Sequence, residues 1–413
     1  MAKIKAFRGL RPVKEKVHLV ASRPYDVLNT EEARKEVQGN PDSFLHVVKP
    51  EIDFPSDQNP YAPEVYLKGK ENFKALMEKG AFFKDEKDCL YIYQLTMDGK
   101  SQAGIVAAAA IDDYFHNVIK KHELTRPDKE EDRKKHVRVS EMNAEPVFFA
   151  YPAVEKIDQL VDEIKQGNTA YDFTANDGIR HELWVVNDEK VAQIIEEFEK
   201  IPATYVADGH HRTAAAALVG QELRKENPSY SGDESFNYFL AVHFPDNQLT
   251  IIDYNRVVKD LNGLSKDDFI AKLKKNFDID VVGKDQFKPS QLHEFGMYLD
   301  GEWYALKAHE GTYDDQNPIG VLDVTILSNQ ILDPVLNIVD LRTDKRIDFV
   351  GGIRGLGELE KRVDSGEMKV AFALFPVSMR QLIDIADSGE IMPPKTTWFE
   401  PKLRSGLVVY SLK

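Results

Sequence analysis

The chain has 413 residues, of which 42% are hydrophobic and 30% charged, and its formal net charge is −15 at pH 7. Such a composition is typical of a globular protein with enough apolar side chains for a sizeable core. The acidic balance disfavours nucleic acid as a partner, because duplex binding requires a basic face and the basic run Lys134-Lys135-His136 is too short to supply one.

Cys89 is the only cysteine, which excludes an internal disulfide and a cysteine-based zinc site. The first eight residues carry too many charges for a signal peptide, and no apolar run approaches membrane-spanning length. We therefore expect a cytoplasmic protein that does not bind membranes.

In chain order, short apolar runs alternate with amphipathic stretches. The short runs predict strands over residues 17–21, 44–48, 90–95, 147–151, 181–186 and 238–244. Helical spacing predicts helices over residues 71–79, 154–165 and 189–200, and a further helix that begins at Asn29 or Thr30. This order predicts an α/β fold with a mixed sheet, with an α+β fold as the alternative.

A polar segment follows the apolar run that precedes Ile111. We predict that a helix beginning near Ile111 ends before Pro127, because proline biases the preceding residue away from helical geometry. The candidate site residues at this helix end are Glu123, Arg126 and Arg133. Two arginines can clamp a polyphosphate while a glutamate holds a metal or an ammonium group. The alternative is that residues 128–135 form a solvated charge run with local ion pairs.

The segment from Thr204 to Ala214 joins a short strand to an alanine-rich helix through a polar turn. The turn residues are Asp208, Gly209, His210, His211, Arg212 and Thr213. A helix N-terminus favours an anion, a glycine permits a sharp turn close to a ligand, and an arginine can fork onto phosphate oxygens. The pattern therefore predicts a phosphate site. The alternative is that Asp208 is only an N-cap and that the two histidines are surface residues of a turn.

Near the C-terminus, Pro393 and Pro394 predict an exposed loop. Lys395, Thr396 and Thr397 then offer one cation and two hydroxyl groups, which suits the binding of a small polar substrate. The alternative is a C-terminal clasp in which the aromatic residues that follow pack on the body of the protein.

The Asp-Gly-His-His-Arg segment resembles the phosphate-binding segment of the ParB/sulfiredoxin-like superfamily, and within it most closely that of the nucleotide-dependent free-serine kinases. The wider pattern, including residues 121–127 and 237–243, also resembles a large bacterial family of unknown function. A sulfiredoxin-type reaction would need a cysteine where this chain has Gly209. The resemblance implies a ParB-like core with large elaborations. We assign residues 1–260 to that phosphate- or nucleotide-binding core with a helical insertion, and residues 261–413 to an α/β portion that either stands apart or packs with the core.

The resemblance to the serine kinases implies a phosphotransferase that uses ATP or ADP with Mg²⁺, with L-serine and O-phosphoserine as the lead substrate pair. Asp208 would bind the metal or accept a proton, while His210, His211 and Arg212 would hold the transferred phosphate. The direction of transfer is open, and Glu31 or Glu32 is a candidate for the base. The alternatives are a nucleotide-binding regulatory protein without turnover and a simple phosphoesterase.

Overall fold

A computed structural model describes residues 1–413 as two compact units. The first unit consists of Met1–Lys121, Thr125–Leu249 and Pro401–Lys413, and the second consists of His122–Leu124 and Thr250–Glu400. Each unit combines β-sheet with helices, which confirms the predicted α/β class. None of the helices is both long and apolar enough to cross a membrane.

The first unit is built on a nine-stranded mixed sheet. Its strands lie in the order Ile119–Lys120, Thr204–Asp208, Val147–Tyr151, Tyr238–Pro245, Lys100–Ala110, Tyr91–Met97, Arg180–Val185 and Tyr171–Thr174, with Ile4–Lys5 paired to Lys100–Ala110. The strand Thr204–Asp208 is parallel to Ile119–Lys120 and antiparallel to Val147–Tyr151. Short pairs are formed by Leu10–Pro12 with Phe82–Lys84 and by Met142–Asn143 with Tyr410–Ser411.

Helices cover this sheet through apolar residues at helical spacing. The α-helices of the first unit are Val17–Val20, Thr30–Glu36, Leu45–Val48, Pro63–Glu78, Ile111–Phe115, Pro127–Ser140, Glu155–Lys165, Asp188–Phe198 and His210–Glu226. One core cluster joins the sheet to Ile157, Leu160 and Phe198, and another joins it to Ala216 and Ala217. The small side chains of the last helix let it pack tightly, as its sequence predicts.

The second unit has a six-stranded sheet of its own. The strand order is Phe277–Gly283, Glu302–Ala308, Glu294–Leu299, Val370–Leu374, Tyr254–Val258 and Ile347–Gly351, and Thr250–Ile252 pairs separately with Trp398–Glu400. All neighbours in this sheet are antiparallel. The α-helices are Lys266–Leu273, Asp323–Leu327, Leu356–Asp364 and Met379–Ser388.

Two predicted strands are helical. Residues 17–21 and 44–48 form the short helices Val17–Val20 and Leu45–Val48 rather than strands. Short apolar runs do not distinguish a strand from a buried helical turn, and in each helix the first and last residues, three positions apart, are both buried.

The helix predicted from Ile111 to Arg126 is also wrong. That helix ends at Phe115, and the strand Ile119–Lys120 follows it. Pro127 is the first residue of the next helix, Pro127–Ser140, where its fixed φ and missing N–H are tolerated. Proline therefore marks a helix start here, and Glu123 does not lie at a helix end.

Candidate active site

The Asp208 turn lies at the end of a buried strand. A β-bulge between Val206 and Asp208 breaks the register with the neighbouring strand Val147–Tyr151, and bulges of this kind re-aim the side chain that follows. The helix His210–Glu226 begins directly after Gly209, and its first backbone hydrogen bond runs from the N–H of Thr213 to the carbonyl of Gly209. The amides before Thr213 thus lie outside the helix's own hydrogen-bond ladder, at the positive end of its dipole.

Gly209 is the N-cap of this helix, and no side chain caps it. Asp208 is therefore not the N-cap, which removes the alternative in which its carboxylate serves only that role. Gly209 has φ +97°, in the region that side chains rarely adopt, and a Cβ there would lie 3.2 Å from Cζ of Arg212. The glycine is required both by the backbone and by the close approach of the guanidinium group.

We expect Gly209→Ala to destabilise the protein by about 1–2 kcal/mol, because a residue with a side chain is strained at this positive φ. The added methyl group should also displace Arg212, because it would contact the guanidinium group. Gly178→Ala is the matched control, since Gly178 has φ +81° but nothing within 4 Å of the added Cβ. Both variants should lose stability in urea unfolding, and only Gly209→Ala should lose ligand binding. Equal binding by the two variants would contradict the role assigned to this contact.

Asp208 is held between two cations. Nη2 of Arg212 donates to Oδ2 of Asp208 at 2.9 Å, and Nζ of Lys402 donates to Oδ1 at 3.0 Å. Burial alone would raise the pKa of Asp208, but the charges of Lys402 and Arg212 outweigh it and hold that pKa well below its usual range. The side chain keeps 29% of its surface exposed, so this ionised group remains open to a ligand.

Arg212 is fixed from two directions. Besides its bond to Asp208, its Nη1 donates to the carbonyl of Pro146 at 2.6 Å, and the side chain is 8% exposed. Burial disfavours the charged form, yet the charges of Asp26, Asp208 and Glu145 raise the pKa of Arg212. The guanidinium group is therefore charged and preoriented.

The two histidines of the turn differ in exposure. His211 is half-buried, and its Nε2 accepts a hydrogen bond from the backbone N–H of Arg126 at 2.9 Å, which fixes the ring as the tautomer protonated on Nδ1. His210 is buried, at 6% exposed. Thr213 is fully buried, and its hydroxyl donates to the carbonyl of Gly209 at 3.0 Å.

The predicted arginines take different positions. The backbone N–H of Arg126 donates to His211, but the Arg126 side chain is exposed and pairs with Asp128. Arg133 is buried on the helix Pro127–Ser140, where it pairs with Asp132 at 2.8 Å and stacks 3.8 Å from the centre of the Tyr25 ring.

Arg133 and Arg212 line one small pocket together with Glu145. The pocket has a volume of about 20 Å³, room for a single water. Nη1 of Arg133 lies 3.6 Å from Oε2 of Glu145, and burial raises the pKa of that carboxyl against the opposing charges of Arg212 and Arg133. The charge run around residue 133 is thus partly internal, with Asp132, Arg133 and His136 buried.

Three charged residues near Arg212 were not predicted from the sequence: Asp26, Glu145 and Lys402. Asp26 is exposed on a turn, and of the charges that raise the pKa of Arg212 it has the largest effect. No local pattern marks these residues, because they come from segments more than 60 positions away from the turn in sequence.

The predicted base candidates have local partners. Glu32 completes a capping box with Asn29, and Oε1 of Glu31 accepts a hydrogen bond from Arg34 at 2.5 Å. The capping box confirms the predicted start of this helix. The role of Glu31 or Glu32 as the base stays a prediction.

The remaining predicted residues, Glu123 and Lys395–Thr397, belong to the second unit. Nε2 of His122 lies 3.3 Å from Oγ1 of Thr397, and the N–H of Met392 donates to the carbonyl of His122. Lys395 is exposed on a turn, whereas Thr396 is buried and donates to the carbonyl of Pro393 at 2.6 Å. The catalytic role of Glu123 and the substrate-binding role of Lys395–Thr397 stay predictions.

The protein contains no group of three or more His, Cys, Asp or Glu side chains that could hold a metal ion. At the turn itself, backbone amides and the cations Arg212 and Lys402 surround the carboxylate of Asp208. Such an arrangement suits a phosphate group.

The chain belongs to the family described as "Protein of unknown function (DUF1015)", which matches residues 4–325. No curated protein matches the sequence.

Several solved structures are distantly similar. A free serine kinase mutant in complex with AMP is 12% identical, with a TM-score of 0.35 over 74% of this chain and 91% of that chain. A conserved hypothetical protein from Pyrococcus furiosus is 14% identical, with a TM-score of 0.35 over 75% of this chain and 95% of that chain. SbnI with a C-terminal truncation, from Staphylococcus aureus, is 10% identical, with a TM-score of 0.39 over 74% of this chain and 87% of that chain.

Proposed function

We propose that the protein is a nucleotide-dependent phosphotransferase that acts on a small hydroxylated metabolite, with L-serine and O-phosphoserine as the lead pair. The observation that carries this proposal is the Asp208 carboxylate held between Lys402 and Arg212 at the start of a long helix. The choice of serine rests on the resemblance of the Asp-Gly-His-His-Arg segment to the free-serine kinases.

In this proposal the phosphate lies against the amides at the start of the helix His210–Glu226. Arg212 and Lys402 neutralise its charge, and His211 is a further candidate for holding the phosphate. Phosphoryl transfer requires mainly positioning and charge neutralisation, which fixed cations and backbone amides provide. Thr213 then has a packing role, because its hydroxyl is already bonded inside the helix.

Asp208 acts in this scheme as a permanent anion. A carboxyl whose pKa lies well below its usual range is a weak base, so proton acceptance by Asp208 is disfavoured. Its carboxylate instead orients Arg212 and Lys402 before the phosphate arrives. In the forward direction the substrate hydroxyl oxygen would attack the terminal phosphorus of ATP, its proton would pass to a base, and the bond to ADP would break.

Mg²⁺ fits this site only as part of the nucleotide complex. Magnesium is commonly held by substrate phosphates with one or two carboxylates, and Asp208 is the carboxylate that the turn offers. When bound, the ion would supply charge neutralisation at the phosphate oxygens.

A single set of assays separates the proposal from its alternatives. The full-length protein is incubated with O-phosphoserine, with and without ADP and Mg²⁺, and serine, ATP and inorganic phosphate are measured. Serine and ATP formed only with ADP support phosphotransfer. Phosphate released without ADP indicates a phosphoesterase, and nucleotide binding without any product indicates a regulatory protein.

Arg212→Lys is expected to weaken nucleotide binding by about 10- to 100-fold, because lysine keeps the charge but loses the fork that spans Asp208, Pro146 and the ligand. Isothermal titration calorimetry with ADP and Mg²⁺ measures the change. Arg138→Lys is the control, since Arg138 is a half-exposed residue paired with Glu226. Absence of nucleotide binding in the unaltered protein would overturn the proposal itself.

A further inference from the structure

A second buried arginine lies in the other unit and has no acidic partner. Arg256, on the strand Tyr254–Val258, is 1% exposed. Its guanidinium group donates to the carbonyl of Tyr254 and, at 3.4 Å, to the carbonyl of Pro394. No Asp or Glu carboxylate forms an ion pair with it, and burial without a counter-charge lowers the pKa of Arg256 to about 10.

Arg256 differs from the other buried arginines of the chain in having no carboxylate partner. Each of those pairs with a carboxylate: Arg11 with Asp85, Arg133 with Asp132, Arg212 with Asp208 and Arg404 with Asp177. A buried charge without an opposite charge is costly, and such groups are commonly retained where a ligand supplies the missing charge.

Two aromatic rings lie beside Arg256. Its Cζ lies 5.3 Å from the centre of the Phe349 ring and 6.0 Å from that of Tyr254. Nζ of Lys395 lies 5.9 Å from the same Tyr254 ring. Lys395, carried on the turn, and Arg256 thus lie near the same aromatic ring.

The turn Pro393–Thr396 covers the guanidinium group. Lys395 has φ +58°, a left-handed conformation that is uncommon for a residue with a side chain, and the hydroxyl of Thr396 closes the turn onto Pro393. The hydrogen bond from Nη2 of Arg256 to the carbonyl of Pro394 is long, at 3.4 Å, so a stronger acceptor could bind in place of this carbonyl.

We propose that Arg256 is the centre of a second anion site, which takes the phosphate or carboxylate group of a small metabolite when the turn Pro393–Thr396 moves aside. The oxyanion replaces the carbonyl of Pro394 at Nη2 and supplies the missing negative charge. Lys395, carried on the moving turn, closes over the bound anion.

The test uses hydrogen exchange on the full-length protein, followed on peptides that contain Lys395–Thr397 and on peptides that contain Tyr254–Val258. Inorganic phosphate and acetate are added separately at constant ionic strength, with chloride as the reference anion. We expect exchange in these peptides to change by about threefold or more with phosphate or acetate at saturation. The anion that produces the change identifies the ligand class.

Arg256→Met removes the charge and keeps most of the side-chain volume. In phosphate-free buffer we expect this variant to melt at the same or a higher temperature than the unaltered protein, because the uncompensated charge is gone. The anion effect on Lys395–Thr397 should disappear. Arg362→Met is the control, since Arg362 pairs with Asp348 and Glu367, and this variant should melt lower while keeping the anion effect.

Arg256→Lys keeps the positive charge but loses the forked guanidinium geometry. This variant should need about 10-fold more anion for the same change in hydrogen exchange. It also provides a test if Arg256→Met does not fold. The proposal is overturned if neither anion alters exchange in these peptides, or if Arg256→Met or Arg256→Lys responds as the unaltered protein does. Phosphate bound at the Asp208 turn would instead change peptides that contain residues 208–213, so the two sites are tested independently.

Discussion

Asp208→Asn is expected to lower turnover by about 10²- to 10³-fold while the fold is retained, because the amide keeps the shape of the side chain but no longer holds two cations in place. Arg212 would keep its bond to Pro146, whereas Lys402 would lose its ion pair with Asp208. Transfer of a phosphoryl group depends on the preset position of both cations, so the loss should appear mainly in kcat.

The same substitution has a defined effect on stability. The pKa of Asp208 is lower in the folded protein than in the unfolded chain, so its ionised carboxylate stabilises the fold at pH values above the unfolded-state pKa. That stabilisation is lost as the pH falls through the folded-state pKa. We expect Asp208→Asn to cost about 1–3 kcal/mol at pH 7, a difference that shrinks below about pH 4. Asp128→Asn, at an exposed pair, is the control and should change neither quantity. Turnover at the unaltered rate by Asp208→Asn would refute the role proposed for Asp208.

Acidification from pH 7 to pH 5 is expected to destabilise the first unit by about 4–6 kcal/mol through three buried histidines. Burial lowers the pKa of His136 to about 4 and those of His181 and His243 to about 3. The unfolded chain therefore binds protons between pH 6.5 and pH 5 that the folded chain excludes. The free energy of unfolding therefore decreases as the pH falls through the histidine pKa of the unfolded chain. At pH 5 the decrease is about 2 kcal/mol for each histidine.

His243 provides the sharpest test of this effect. Its ring packs between Phe149 and Phe198 at 5.3 and 4.9 Å, and neither ring nitrogen has a hydrogen-bond partner. His243→Phe should keep the aromatic contacts and reduce the loss of stability between pH 7 and pH 5 by about 2 kcal/mol in urea unfolding. His116→Phe, at an exposed position, should leave that loss unchanged. An equal pH dependence in both variants would contradict the assignment of this proton to His243.

The local sequence predicts the turn around Gly209 because every requirement there lies within a few residues. The strand, the glycine and the alanine-rich helix are adjacent, so strand and helix patterns and glycine's conformational freedom suffice to predict their order. The capping box at Asn29 and Glu32 is predicted for the same reason. In contrast, Pro127 is compatible with both the end and the start of a helix, and the predicted end is wrong.

The sequence by itself determined the α/β class, the strand-to-helix turn at Asp208 and the family to which the chain belongs, since these depend on periodicity and on contiguous residues. Only the tertiary structure decided that Lys402 and Arg212 share the Asp208 carboxylate, that Arg133 is internal, and that Arg256 has no acidic partner. These facts depend on contacts between segments far apart in the chain. Charge and burial at such contacts arise only when the sheets and helices pack, and no local pattern encodes them.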